Sequence, residues 1–174
     1  MKANIIAGLT VAAMILSPPV FAAAIAKMKI TSEAFNSGGN IPSQFTCDGS
    51  DANPPLRIEG APAAAKSLAL IVDDPDAPSG LFTHCLVWNI DPKTTDIREN
   101  STPSGAVQGT NDFGKIGYGG PCPPSGTHRY NFKIFALDQV IHLKPGARRA
   151  EVDAALRGHI IGQGELMGRY FRKN

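Results

Sequence analysis

The sequence lacks a strong excess of either charge. Its 174 residues include 17 Lys and Arg against 15 Asp and Glu, a formal net charge of +2. No basic stripe runs along the chain, and no basic amphipathic helix is predicted, so nucleic acid and a membrane surface are not the expected partners. A small molecule or another protein remains as the expected partner.

No hydrophobic run in the sequence is long enough to span a membrane, and the longest one, at the N-terminus, is short. Residues 5–16 are nearly all apolar, Lys2 is the only charge before Lys27, and three alanines occupy 22–24. This pattern is typical of a secretory signal peptide, whereas a membrane anchor needs roughly 20 apolar residues. We predict a signal peptide over 1–24, cleaved after Ala22 or Ala24, and a single domain over 25–174. The protein would be periplasmic or secreted, with no integral membrane segment after processing. An N-terminal helix of the domain is the other interpretation, but the segment is not amphipathic.

Cysteine is scarce and forms no metal-binding pattern. The chain has Cys47, Cys85 and Cys122, with no CxxC pair and no Cys/His spacing of a metal site. Export favours a disulfide, and an odd count leaves one thiol over. We predict no metal and no cofactor.

Long helical patterns are scarce, whereas 18 glycines and 14 prolines favour a β protein with elaborate loops. The apolar run Ser67–Asp74 predicts a strand buried on both faces. We predict further strands at Phe82–Ile90, 130–137 and 165–172, shorter ones at 28–30 and 45–47, and one helix at 148–157. The Gly- and Pro-rich stretch 91–127 is predicted as a loop, and loops of that length are usually functional.

Ionisable residues stand near one end of each long predicted strand. Side chains alternate between the faces of a strand, so Asp74 shares a face with apolar residues of its strand. By the same rule His84 lies with Leu86 and Trp88, and His128 and Tyr130 continue the apolar face of the third strand. If these ends meet, a carboxylate, two imidazoles and a phenol converge. Asp76 lies just beyond, in the turn 74–78.

Such a group of side chains could bind a small anion. The glycines at 117, 119 and 120 would let backbone amides approach it, and imidazoles can supply positive charge. Carboxylates that accept hydrogen bonds from the imidazoles would favour the imidazolium form and orient the rings. The sequence therefore predicts a pocket for a phosphate or carboxylate group.

Three other kinds of site remain open. Asp74, Asp76, His84 and His128 have the side chains of a metal site but no recognised spacing. A serine hydrolase is a second possibility, because Ser79 and Ser125 lie in suitable loops, but the sequence lacks the G-x-S-x-G motif that places the nucleophile in many of these enzymes. A Cys85 nucleophile is disfavoured because neighbouring strand residues point to opposite faces, away from His84. Cys122 is not excluded in this way, but a disulfide is its expected state in an oxidising compartment.

Several sequence blocks carry a family resemblance. FTCDGSDANPPL at 45–56, SLALIVDDPDAP at 67–78 and FTHCLVWNI at Phe82–Ile90 are three of them. The others are NDFGKIGYGGPCPPSGTHRYNFKIFAL at 111–137, GHII at 158–161 and GRYFR at 168–172. In this order, over essentially the whole mature chain, they resemble the exported bacterial branch of the phosphatidylethanolamine-binding (Raf kinase inhibitor-like) family, the YbhB/YbcL group.

The resemblance implies a mostly β fold: a β-sandwich with Greek-key topology, a large antiparallel sheet and one or two peripheral C-terminal helices. It also implies a small phosphate-binding pocket and a cis bond before Pro78. The ligand-binding residues that it implies are Asp74, Asp76, Pro78, His84, Gly120, Pro121, Pro123, His128 and Tyr130.

One position departs from the family. Many relatives have Trp where this chain has Cys85, which would make Cys85 the free thiol and Cys47–Cys122 the disulfide. The resemblance implies a binding protein that takes a small anion or phosphate head group and could inhibit a protein partner; a homodimer is also allowed. A small hydrolase using Asp/His acid–base chemistry is the alternative function.

Overall fold

The computed structural model describes residues 24–172. The predicted signal peptide lies almost entirely outside these residues. The strands are β1 (Ala26–Lys27), β2 (Lys29–Thr31), β3 (Leu56–Glu59), β4 (Ser67–Asp74), β5 (Phe82–Ile90), β6 (Asp96–Ile97), β7 (Val107–Gln108), β8 (Thr127–Leu137) and β9 (Ile160–Phe171). A 3-10 helix spans Ser43–Phe45, and helix α1 spans Arg149–Leu156.

The strands form two sheets that pack as a sandwich. The larger sheet has the order β1-β9-β8-β4-β5-β7, and the smaller has the order β2-β3-β6. All pairs are antiparallel except the short β1, which runs parallel to β9. Strand β8 returns after a long connection to lie beside β4, as in a Greek key. The predicted fold class is therefore confirmed, with a mixed rather than wholly antiparallel large sheet.

The apolar run of β4 supplies side chains to two cores, because all eight of its residues are buried. Leu68, Leu70 and Val72 face the smaller sheet and join the larger core. Ala69 and Ile71 face the other way and pack in the core that includes residues of α1. Both faces of the central strand are covered, as its continuous apolar pattern predicts.

Some sequence predictions need correction. Residues 45–47 do not form a strand: Thr46 bonds back to the Ser43 carbonyl, and the segment turns after the 3-10 helix. The stretch 91–127 is not one loop, since it contains β6 and β7. All described peptide bonds are trans, so the prediction of a cis bond before Pro78 is wrong. The described residues contain no helix that is long and apolar enough to cross a membrane.

Candidate functional site

A bulge in β5 determines where His84 points. In the pairing with β4, Val72 is opposite Cys85 and Asp73 is opposite Thr83. His84, between these two β5 residues, therefore has no paired residue on β4. The predicted alternation is therefore wrong at this point, and Leu86 and Trp88 pack in the other core. The His84 ring lies 5.2 Å from the ring of Tyr130. Bulges commonly redirect a side chain next to a site.

Asp74 and His128 form a buried pair at neighbouring strand ends, as predicted. His128 Nδ1 lies 2.7 Å from Asp74 Oδ2, and the two side chains are 9% and 5% exposed. The other oxygen, Asp74 Oδ1, accepts the backbone N–H of Asp76 at 2.8 Å. Both carboxylate oxygens therefore have a partner within the protein.

The ring of His84 has a different partner. Its Nδ1 lies 2.7 Å from the carbonyl oxygen of Gly119, and the Gly119 N–H donates to the His84 carbonyl at 2.9 Å. Burial lowers the pKa of His84, although the Gly119 and Gly120 carbonyls and the Asp74 carboxylate act in the opposite direction. The two histidines thus differ: His128 has a carboxylate partner, whereas His84 is held against a carbonyl.

A cavity of about 230 Å³ lies between these side chains. Its polar lining comes mainly from Asp74, His84, His128 and Ser79, and the rest is largely apolar and aromatic. The remaining lining residues are Ala77, Pro78, Phe82, Phe113, Cys122 and Pro124. Four residues of the predicted site therefore line the cavity: Asp74, Pro78, His84 and His128.

The other predicted site residues surround this cavity without lining it. Tyr130 is fully buried, burial raises its pKa, and its hydroxyl has no hydrogen-bond partner among the described residues. Pro121 accepts the Cys47 N–H through its carbonyl at 3.1 Å. Pro123 is buried in the same loop. Tyr130, Pro121 and Pro123 therefore lie around the cavity rather than on its surface.

The glycine amides are not free to bind an anion, contrary to the prediction. The Gly120 N–H donates to Asp51 Oδ1 at 2.6 Å, and the Gly117 N–H donates to the Gly109 carbonyl at 3.2 Å. The Gly119 N–H is engaged by His84. A Cβ on Gly120 would lie 2.6 Å from the Phe45 carbonyl oxygen, so this glycine serves close packing.

Asp76 turns away from the cavity toward an arginine. Its Oδ2 accepts both Nε and the backbone N–H of Arg129, at 2.8 and 2.9 Å, and its Oδ1 accepts Nη2 at 2.6 Å. The Arg129 guanidinium is the main cause that lowers the pKa of Asp76 to about 2. Asp76 therefore ties the turn after β4 to the start of β8.

We predict a pH-dependent effect for Asp76→Asn. A carboxylate with a lowered pKa stabilises the fold above its unfolded value of 3.8, and this contribution is lost as the pH falls toward about 2. The free energy of unfolding of the variant should lie below that of the wild type near neutral pH, and the two should converge on acidification. Urea denaturation at several pH values measures this. A difference that stays constant into strong acid would contradict the assignment.

Phe113 is a lining residue that the sequence did not single out. Its ring lies 4.8 Å from the ring of Phe82 and 5.3 Å from that of His84, and 43% of the residue is exposed. The neighbouring Asp112 holds the loop by accepting the Thr83 N–H at 2.6 Å. A residue of an irregular segment has no periodicity that indicates its direction, so no sequence signal identified it.

Cys85 is an unsuitable nucleophile, but for a different reason from the predicted one. The bulge at His84 removes the alternation on which the prediction depended. Cys85 is buried in the larger core, and burial raises the pKa of its thiol to about 12. A thiol in such surroundings is inert. Cys47 and Cys122 form the predicted disulfide.

No group of three His, Cys, Asp or Glu side chains suited to a metal ion occurs among residues 24–172. The four side chains considered for a metal are divided among three separate arrangements. Asp74 and His128 bond to each other, Asp76 bonds to Arg129, and His84 bonds to a carbonyl.

The chain is similar to known proteins over most of its length. The family model described as phosphatidylethanolamine-binding protein matches residues 31–171. A UPF0098 protein of Methanothermobacter thermautotrophicus is 51% identical over 150 residues, which are 83% of this chain and 99% of that protein. A UPF0098 protein of Aquifex aeolicus is 45% identical, over 91% of this chain and 97% of that protein.

Two solved structures share the fold. The phosphatidylethanolamine-binding protein homologue CT736 of Chlamydia trachomatis has a TM-score of 0.81 and 42% identity, over 86% of this chain and 100% of that one. E. coli YbcL, described as a member of the mammalian family, has a TM-score of 0.80 and 34% identity, over 85% of this chain and 100% of that one.

Proposed function

This chain belongs to the phosphatidylethanolamine-binding protein family, and we propose that it is a binding protein that holds a small anionic group, such as a phosphate, in the cavity between Asp74, His84 and His128. Family membership suggests binding rather than turnover. The anion and its place in the cavity are our proposal.

The observation that carries this proposal is that each carboxylate oxygen of Asp74 already accepts a hydrogen bond from the protein. A free carboxylate at the base of the cavity would repel an anion, but both of its oxygens already accept hydrogen bonds, from His128 and from the Asp76 backbone. An imidazolium at His128 has its counter-charge at 2.7 Å and can donate from Nε2 to a ligand. The apolar walls exclude water and strengthen that interaction.

A hydrolase remains the second candidate, because an aspartate–histidine pair beside Ser79 resembles part of a catalytic triad. A triad also needs its nucleophile within hydrogen-bond reach of the base. Ser79 makes no side-chain hydrogen bond to His84 or His128 in the described part of the chain. Binding is therefore the better supported function. Turnover of a chromogenic phosphate or acyl ester that is lost in Ser79→Ala would reverse this preference.

We further propose that the protein acts in the periplasm or is secreted, and that it engages a protein partner. The disulfide suits an oxidising compartment. Leu81 and Phe113, 54% and 43% exposed, lie next to or in the wall of the cavity and offer apolar contact to a partner. A homodimer is one form that such contact could take.

We predict that inorganic phosphate and phosphorylethanolamine shift the NMR signals of the His84 and His128 rings together and saturably. His128→Ala should weaken binding by about tenfold or more, because it removes a charge-assisted donor. His159→Ala is the matched control, since His159 has the same kind of partner, Asp138 Oδ1 at 2.8 Å, on the surface. Absence of any shift in an intact fold would overturn the anion site.

A further inference from the structure

The outer face of the large sheet is covered only in part. The core that includes residues of α1 lies against one end of this face, where Phe135 and Ile160 pack against it. Toward the other end of β8 and β9 the side chains of Arg129, Arg169 and Phe171 are exposed, whereas the residues between them in each strand are buried or half-buried. The described residues therefore leave this part of the sheet face open.

Two arginines are direct neighbours on the open part of the face. Arg129 of β8 is paired with Arg169 of β9 in the register of the two strands. Like charges directly opposite each other destabilise an antiparallel pair, so the sheet gains nothing from this arrangement. Asp76 accepts hydrogen bonds from Nε and Nη2 of Arg129. The Nη1 group of Arg129 and the whole guanidinium of Arg169 donate no hydrogen bond to any described residue, so they are available to an acceptor.

Apolar side chains lie on both sides of Arg169. Met167 and Phe171 are two residues before and two residues after it in β9, so all three point to the same face. Met167 is half-buried, and 42% of Phe171 is exposed. Arg, Met and Phe are all enriched in protein–protein interfaces. The row from Met167 to Phe171 is roughly 13 Å long, which matches five residues of an extended chain.

A groove of about 650 Å³ opens beside the arginine pair. Its charged lining residues are Asp76, Arg129 and Arg169, and the rest of the lining is polar or glycine: Ser125, Gly126, Thr127 and His128. Since Arg129 compensates the charge of Asp76, Arg169 supplies the remaining positive charge. A guanidinium with free N–H groups binds a carboxylate bidentately. A long polyanion fits less well, because Glu165 is exposed further along β9 on the same face and would repel it.

We infer that this surface, formed by Arg129, Met167, Arg169 and Phe171, is a docking site for an acidic segment of a partner protein. The segment lies extended along β9 and places a Glu or Asp side chain on the arginine pair. Its apolar side chains two residues before and after that carboxylate contact Met167 and Phe171. The carboxylate also offsets the repulsion between the two guanidinium groups. This inference does not rest on the anion cavity.

Two short peptides test this inference: acetylated and amidated Leu-Ser-Glu-Ser-Leu, and the same peptide with Gln in place of Glu. In NMR spectra of the oxidised protein, the Glu peptide should shift the Nε–H signals of Arg129 and Arg169 saturably. The Gln peptide should bind about tenfold more weakly, because it forms no charge-assisted hydrogen bond. Arg169→Gln should weaken binding of the Glu peptide by a similar factor. Arg98→Gln is the matched control, since it removes the same charge from an exposed arginine that follows β6 in the smaller sheet.

Equal affinity for the two peptides, or equal losses in Arg169→Gln and Arg98→Gln, would overturn the inference, as would the absence of any shift. A single-stranded oligonucleotide that shifts the same arginine signals at lower concentration than the Glu peptide would also overturn it, because the occupant would then be a nucleic acid. None of these outcomes bears on the anion site, which is measured separately through the rings of His84 and His128.

Discussion

Reduction of the Cys47–Cys122 disulfide should lower the free energy of unfolding by about 4 kcal/mol. The bond joins residues separated by 75 positions, and in the chain-entropy model a cross-link of that span removes much of the freedom of the unfolded chain. Thermal or urea denaturation with and without dithiothreitol measures the loss. It should be among the largest effects of any single change in this protein.

The Cys47→Ser variant is the control for reduction. Its unfolding should be the same with and without the reductant, and its stability should match that of the reduced wild type. Mass spectrometry after alkylation in denaturant should find one free thiol in the oxidised protein, that of Cys85. Three free thiols, or a fall in stability of Cys47→Ser upon reduction, would contradict the assignment.

The disulfide also contributes to the wall of the cavity. Cys122 lines the cavity, and the Cys47 N–H donates to the Pro121 carbonyl beside it. The bond thus fastens the loop 120–124 to the segment that follows the 3-10 helix. We expect reduction to affect ligand binding as well as stability, because the position of this wall depends on the link.

Much of the fold could be predicted because it depends on local patterns. The apolar run of β4 and the predicted strand Phe82–Ile90 match the observed bounds. Strands β8 and β9 begin earlier than predicted, at Thr127 and Ile160. Strand β8 begins with the polar residues 127–129, and the start of β9, IIGQG, is interrupted by two glycines, so pairing between the two strands is needed to hold these residues in the sheet. Such pairing is a long-range property that a local pattern does not contain.

The site was predicted in its chemistry but not in all its geometry. Asp74, His84 and His128 were identified as ionisable residues at strand ends, and they do converge. The bulge that directs His84 depends on the register with β4, which the sequence of β5 alone does not specify. Asp76 was placed in the site because it shares the DPDAP block with Asp74, but the bidentate pairing with Arg129 turns it outward.

Asp74→Ala should destabilise the protein by about 3 kcal/mol, since it removes the charged acceptor of a buried hydrogen bond and leaves its donors unsatisfied. The change leaves two donors without their acceptor, the buried His128 Nδ1 and the partly buried Asp76 N–H. Asp138→Ala is the matched control, because Asp138 pairs with His159 at the same kind of distance, 2.8 Å, but is 49% exposed. Its loss should be below about 1 kcal/mol. Similar losses in the two variants would show that burial of the Asp74–His128 pair does not have the importance assigned to it.

A double variant separates the pair from its surroundings. Once Asp74 is absent, His128 has no carboxylate to oppose the penalty of burying its ring, so His128→Ala should destabilise the Asp74→Ala background less than it destabilises the wild type. The resulting coupling free energy, from urea denaturation of the four proteins, should be clearly favourable for this pair and close to zero for Asp138 and His159. Strict additivity at Asp74 and His128 would mean that they contact each other without stabilising each other. Ligand binding would then depend on each residue independently, and the pairing of Asp74 with His128 could no longer explain how an anion is accepted beside Asp74.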